Sequence, residues 1–251
     1  MALSNNTFCW NGIVSSDSAR TLAFFPEVLG WSVQEIDMGG DTVQMLASAG
    51  TPLAHVRGPQ APGERSWWNN YFRVEDVDAT VAAVKKAGGT VVVPPTDIPP
   101  GRFSTVATPS GAHLSLFREA NPEDTDKPST TGFIHWVDLH SKDLERDLAF
   151  IHEGLGLATS EFPMPSGAYH ILNPEGRTRG GAMEGKNPEA PSMWLAWVAV
   201  DDVDQTLERV TRHGGKVLAP AWDADTVGRM AIAADPTGVA FGIITPPAAA
   251  G

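Results

Sequence analysis

Asp138 and His140 stand two residues apart in the run "FIHWVDLHS", which alternates as a strand does, so with Trp136 they share one face. A carboxylate beside an imidazole serves as a general base with its orienting partner, or as two ligands of a metal ion. The competing account is a pair of polar groups at a strand end, satisfied by local hydrogen bonds. His113 and Ser115 repeat the same spacing in "GAHLSL" and form a second candidate for acid–base work. Strand parity puts Trp10, Tyr71 and Trp197 on the corresponding faces of other strands, with Asn69 beside Tyr71. Such rings suit a flat organic molecule, because aromatic pairs stack or meet edge to face. They serve equally well as filler. His55 lies near the same region without a fixed register, and His170 aligns with Gln44 as a swapped polar residue. His135 counts to the opposite face as a packed residue, and Glu184 reads as solvated. No G-x-S-x-G elbow is present, and no Ser-His-Asp set falls on one site. The single Cys9 excludes an intramolecular disulfide and a multi-cysteine metal site, and it reads as a buried, inert thiol.

The elements that carry these residues are written twice. Sliding the chain by 126 residues lays "CWNGIVSSDSARTLAFFPEVLGW" on "HWVDLHSKDLERDLAFIHEGLGL", and "WNNYFRVEDVDATVAAVKKAGGTV" on "WLAWVAVDDVDQTLERVTRHGGKV". After one inserted residue, "GRFSTVATPSGAHLSL" meets "GRMAIAADPTGVAFGI". Repetition over nearly the whole chain marks duplication. The modules are residues 1–118 and 132–251, and the Pro-, Asp- and Thr-rich residues 119–131 read as a linker. Within each module a strand (Phe8 to Val14, Phe133 to Leu139) precedes an N-capping Asp17 or Asp143 and a helix ending at Leu-Gly. Short strands follow: Thr42 to Leu46 and Leu53 to Val56, then Tyr169 to Leu172 and Gly181 to Met183. A second strand from Trp68 or Trp194, a cap at Asp76, a helix over Val77 to Ala87 and a Gly-Gly stop repeat the plan. Each module is therefore βαβββ written twice. Trp68 and Trp194 count to the helix-facing side as core anchors. Arg102 and Arg229, at matching loop-to-strand positions, are expected to bridge the Asp-rich turn.

One helix per three or four strands, with no Gly-rich phosphate loop, opposes a doubly wound parallel sheet and points to an α+β fold with curved mixed sheets. The length supports two cores, and 42% apolar with 19% charged residues is ordinary for a globular chain. A net charge of −12 argues against nucleic acid and acidic membrane as partners. No apolar run approaches the ~20 residues that span a bilayer, and "MALSNNTFCW" lacks a basic region before an apolar stretch, so a cytoplasmic location is expected.

The "W-x-x-x-x-x-x-D" before a helix ending in "LG", the "VEDVDATVAAVKKAGG" and "VDDVDQTLERVTRHGG" segments, and the "PSGA" and "PTGV" turns resemble the vicinal oxygen chelate superfamily. That family comprises glyoxalase I, bleomycin-resistance proteins and extradiol dioxygenases. A two-module subgroup labelled glyoxalase-like or hydroxylase is similar in carrying Trp at positions 10 and 136. The resemblance implies two tandem glyoxalase-like modules, each a pair of βαβββ units curling into a cup with helices outside. In the metal-using members, ligands sit on the first strand, partway along, at the start of the second unit and on the last strand. Aligned here, the first becomes Trp10 and Trp136, the third Asn69 and Leu195, and the last Ser115 and Gly242. An indole N–H cannot ligate, and neither Leu nor Gly offers a side-chain lone pair.

No metal and no cofactor are therefore expected. The leading expectation is a metal-free protein that binds a small aromatic molecule in its cups. The alternative is an enzyme of the same family acting on an aromatic or polyketide-like metabolite. Module 1 offers Asn69, Tyr71, Arg73, His113 and Ser115 for polar recognition, whereas module 2 is apolar except at Asp138 and His140. The expected assembly is a monomer with pseudo-dimeric modules or a homodimer.

Overall fold

The computed structural model describes residues 6–37, 42–60, 63–120, 130–164, 167–173, 175–176 and 178–247. Most of the proposed linker, 121–129, lies outside them. Module 1 runs β1 (Phe8–Val14), α1 (Ser18–Leu29), β2 (Ser32–Asp37), β3 (Thr42–Ser48), β4 (Thr51–Arg57), β5 (Trp67–Arg73), α2 (Val77–Lys86), β6 (Thr90–Ile98), β7 (Gly101–Ala107) and β8 (His113–Glu119). Module 2 repeats the order: β9 (Ile134–Ser141), α3 (Leu144–Glu153), β10 (Thr159–Met164), β11 (Gly167–Leu172), β12 (Gly180–Glu184), β13 (Met193–Ala199), α4 (Val203–Arg212), β14 (Lys216–Ala224), β15 (Gly228–Ala234) and β16 (Ala240–Thr245). Each module forms one mixed eight-stranded sheet, ordered β2-β3-β4-β1-β5-β8-β7-β6 and β10-β11-β12-β9-β13-β16-β15-β14. The pairs β1–β4, β5–β8, β9–β12 and β13–β16 run parallel, and the hairpin pairs antiparallel. Two tandem modules of four βαβββ units in all, as the repeat requires, are present.

Helix starts follow the caps. The carboxylates of Asp17, Asp76, Asp143 and Asp202 each accept from the backbone N–H three residues on, satisfying one donor that the first turn leaves free. α1 stops at Gly30 with φ +69, a left-handed cap that glycine adopts without strain. α3 ends earlier than the Leu-Gly signal implies, at Glu153. Gly154 caps it, and glycine is required there because a Cβ would press on the Phe150 carbonyl and on Val84 of α2; the Leu155-Gly156 turn follows. β2 and β10 are strands that the sequence did not reveal. They are edge strands with largely exposed faces, so no buried alternation marks them. The other two edges, β6 and β14, carry prolines at register shifts, where a missing N–H costs no ladder bond.

The chain packs as two compact units that differ from its sequence modules. One takes residues 1–10, 69–126 and 136–194, the other 11–68, 127–135 and 195–251. Each therefore joins one βαβββ half of module 1 to one half of module 2. In the first, α2 meets α3, and Phe8 packs edge-on against Phe72 (5.3 Å) and tilts against Trp194 (5.7 Å). In the second, α1 meets α4 over a core where Phe25 stacks on Trp31 (5.4 Å) and meets Trp68 and Phe241 edge-on. The Gly-Gly pairs serve both ends of this arrangement. Gly88 and Gly214 take left-handed φ of +82 and +80, ending α2 and α4. The second glycines admit a ring from the other module: a Cβ at 89 would lie 2.6 Å from Phe150, and one at 215 would lie 2.9 Å from Phe24. Trp68 and Trp194 are buried core rings, each 3% exposed.

Candidate functional site

The first unit holds a polar cluster on the β9 face. Trp136, Asp138 and His140 alternate along β9, and β12 runs parallel beside it with Gly181 opposite Asp138 and Met183 opposite His140. β11 then brings Tyr169 opposite Met183. A Cβ at 181 would overlap the Tyr169 hydroxyl, so the absent side chain at that glycine lets the phenol cross the strand to Asp138. The Tyr169 hydroxyl donates to Asp138 Oδ1 at 2.5 Å. The indole Nε1–H of Trp136 is shared between the same oxygen at 2.9 Å and the phenol oxygen at 2.6 Å. Asp138 is only 5% exposed, so these donors answer a carboxylate that would otherwise be costly to bury. Burial first, then the charge of Asp138 and its hydrogen bond, push the Tyr169 phenol far above its ordinary range. Burial likewise lowers the pKa of His140, Asp138 opposes that fall, and Lys186 adds to it. His140 Nε2 is buried with no hydrogen-bond partner among the described residues. At neutral pH this ring is an uncharged imidazole with an unengaged nitrogen, beside a carboxylate whose Oδ1 takes two donors.

Tyr169 is the member that the sequence reading did not join to this group. The statement that module 2 is apolar except at Asp138 and His140 is corrected accordingly: Tyr169 adds a hydroxyl on the same face. The polar groups of module 1 answer one another. Asn69 and Tyr71 share a face of β5, and Tyr71 lies opposite Ser115 of β8. Ser115 Oγ donates to Asn69 Oδ1 at 2.9 Å and lies 2.8 Å from Thr105 Oγ1, all three residues being buried. Tyr71 packs edge-on against Phe117 at 5.9 Å. Arg73 pairs with Glu119 at 2.8 Å. His113 stands on the same face as Ser115, opposite Ala107 and half-buried.

In the second unit, His55 lies opposite Gly12 in the β1–β4 pairing, and its ring covers the space a Cβ at 12 would take. Burial, then the Arg57 charge, hold its pKa down to about 4, against a hydrogen bond the ring donates to the Asn11 backbone, which raises it. Trp197 is 2% exposed, covers Gly242 and meets Trp222 edge-on at 6.1 Å. Trp222, not singled out by sequence, is the exposed ring of that pair. Trp10 and Trp136 are half-buried, and so are His135 and Cys9, where full burial was expected. The Cys9 thiol points to Tyr71 O at 3.6 Å. His170 faces away from the Tyr169 side, opposite Glu161 and Ala182, and Glu184 is exposed. Arg102 bridges Asp78 and Asp97, and Arg229 bridges Asp204 and Asp223, all at 2.6–3.0 Å. A cleft of about 550 Å³ lined by Val74, Asp76, Thr80 and Arg118 contains none of the candidate residues.

The ligand positions of the metal-using members do not fit a metal here. Trp136 offers a donor that is already engaged, Asn69 and Ser115 bond to each other, and Trp197 covers Gly242. Among the described residues, no group of three His, Cys, Asp or Glu side chains is placed to hold a metal ion.

The model of the Glyoxalase/Bleomycin resistance protein/Dioxygenase superfamily matches residues 8–116 and 100–243. Over 245 residues the chain is 31% identical to "Putative glyoxylase CFP32" of Mycobacterium tuberculosis, covering 94% of each chain. It is 28% identical over 256 residues to "Anthracycline biosynthesis protein DauV" of Streptomyces sp. (strain C5), covering 94% of this chain and 91% of the other. Among solved structures, the Mn(II)-bound glyoxalase from Novosphingobium aromaticivorans superposes with a TM-score of 0.64 at 19% identity, covering 97% of this chain and 83% of that one. The 2,2',3-trihydroxybiphenyl 1,2-dioxygenase from Sphingomonas wittichii strain RW1 gives 0.65 at 15%, covering 96% and 91%. At these identities the structural likeness speaks for the fold alone.

Proposed function

This chain belongs to the glyoxalase/bleomycin resistance/dioxygenase superfamily, and from that premise we propose that it binds a small aromatic organic molecule without the help of a metal ion, at the Trp136–Asp138–Tyr169 face of module 2. The observation that carries the reading is the part-buried Trp136–Asp138–Tyr169 triangle itself. Ring donors engage the Asp138 carboxylate, two residues beyond the Trp136 position, and the rings of Trp136 and Tyr169 supply flat apolar surface beside a fixed polar edge. The likeness to an anthracycline biosynthesis protein favours a planar, polyketide-type compound as the occupant.

A second reading rests on His140. A neutral imidazole with an unengaged Nε2, held next to a carboxylate, is equipped to take a proton from a bound phenol or acidic C–H and return it. On that reading Asp138 stabilises the imidazolium as it forms, and the same cup performs acid–base chemistry on its ligand.

The test is a thermal-shift screen of the purified chain against planar phenolic and polyketide-type compounds, with elemental analysis of the same sample. A saturating ligand is expected to raise the melting temperature by roughly 5–10 °C in the parent chain. The rise should shrink to less than half in Tyr169→Phe and Asp138→Asn. Stoichiometric nickel, zinc, iron or manganese would overturn the metal-independent part. A hit that shifts the parent and both variants equally would move the binding site elsewhere. Conversion of a hit by the parent chain but not by His140→Gln would establish the second reading over simple binding.

A further inference from the structure

Each compact unit contains one buried carboxylate at the contact between a helix of one module and a Pro-x-Gly turn of the other, and the two units supply it from opposite sides. In the first unit the carboxylate is on the helix. Asp147 of α3, fully buried, accepts from Ser110 N at 3.1 Å, from the Ser110 hydroxyl and from Ser141 Oγ at 2.6 Å. The turn contributes a hydroxyl residue, Thr108, whose Oγ accepts from Ala112 N. In the second unit the carboxylate is on the turn. Asp235 accepts from Thr237 N at 2.8 Å and from Val239 N at 2.9 Å, and the hydroxyl comes from the helix, where Thr21 of α1 donates to Asp235 at 2.6 Å. Thr21 and Asp147 occupy the same repeat position, as do Thr108 and Asp235. Module 2 thus brings both carboxylates and module 1 both hydroxyls.

We propose that this reciprocal placement is a recognition code that makes the two modules obligate complements. A module 1 helix on a module 2 turn, or the reverse, meets one carboxylate with a full set of donors. Two copies of module 2 joined through this contact would set Asp147 against Asp235, two buried carboxylates with no cation between them. Two copies of module 1 would set Thr21 against Thr108, leaving Ser110 N and the Ser110 hydroxyl without their charged acceptor. Like-with-like association of two chains is therefore disfavoured on both sides, and the partner that fits is the other module.

Substitution at these positions in the full chain tests the code. Thr21→Asp alone confronts Asp235 with a second buried charge and is expected to lower the melting temperature by on the order of 10 °C. Asp235→Thr alone removes the acceptor and is also expected to destabilise. The double variant T21D/D235T copies the arrangement of the first unit, so it should recover more than half of the combined loss. It also leaves Asp on both helices and Thr on both turns, which erases discrimination. After refolding from denaturant it should yield an additional, larger, concentration-dependent species by light scattering that the parent chain does not. The quadruple variant T21D/D235T/T108D/D147T restores the code with reversed polarity and should refold as the parent does. T108D/D147T degrades the code in the other sense and stands in if T21D/D235T does not fold. Additive losses in the double variant would overturn the proposal. So would identical refolding of the parent and both degenerate variants, or a quadruple variant that refolds to mixed species.

Discussion

His55 should make the fold acid-labile over a defined window. Its ring covers Gly12, and burial together with the Arg57 charge lowers its pKa from 6.5 to about 4. The unfolded chain takes up this proton as the pH falls through about 6.5, whereas the folded chain resists until about 4. Stability contributed by the neutral ring is thus full above 6.5, declines as the pH falls, and is lost by about 4. At roughly 1.4 kcal/mol per pH unit, the displacement amounts to roughly 3 kcal/mol, an upper figure given relaxation on charging. For a chain of this size that corresponds to about 6–12 °C in melting temperature. The assay is thermal denaturation of the parent chain and His55→Asn at about pH 7 and about pH 4.5. His140 and the carboxylates titrate in both proteins, so the difference between the two pH responses isolates His55. The variant begins lower at neutral pH, because it leaves space above Gly12, and should lose less on acidification. Parallel pH responses within ~1 °C, or a folded-state imidazole resonance titrating near its ordinary value, would refute the burial argument.

Gly181→Ala should displace the Tyr169 phenol from Asp138, because a Cβ there overlaps the hydroxyl; calorimetry should show a loss of about 1–3 kcal/mol, with the ligand response falling as in Tyr169→Phe. Gly89→Ala should cost about 1–3 kcal/mol by overpacking, since its Cβ meets Phe150, Val84 and the Ala107 carbonyl at 2.6–2.9 Å; urea denaturation would show a lowered midpoint, and an unchanged one would contradict the cross-module contact. Arg229→Ala should lower the melting temperature only slightly, because the Asp204–Arg229–Asp223 bridge is exposed. The cost should shrink further when melting is repeated at about 1 M salt.

The fold was legible wherever one face of an element is buried. The caps at Asp17, Asp76 and Asp143 and the Gly30 stop each state a local rule that the structure obeys. β2 and β10 were illegible for the converse reason: exposed edge strands need no apolar alternation. The exchange of halves between modules was illegible because repeat alignment reports which residues correspond, not which residues touch. Its marks were nevertheless present. The second glycine of each Gly-Gly pair is not needed to end a helix, and the Thr/Asp exchange at 21, 108, 147 and 235 makes sense only across modules.

At the candidate site, parity along β9 placed Trp136, Asp138 and His140 together, because a strand's period of two leaves little freedom. Tyr169 escaped because two strand registers, β9 on β12 and β12 on β11, separate it from Asp138, and neither is written in local sequence. Gly181 was the available signal: a glycine inside a strand marks close approach, here of a phenol. The same geometry bears on how the Asp138 carboxylate is held in the interior. A buried carboxylate needs compensation, and a cation is one source of it. The shared indole N–H of Trp136 and the phenol of Tyr169 are another, worth a few kcal/mol when charge-assisted and desolvated. A metal bound through Asp138 Oδ1 would have to displace both donors, and among the described residues no third His, Cys, Asp or Glu is placed to join it. The ring donors therefore answer the Asp138 charge and set the polarity of this face of β9.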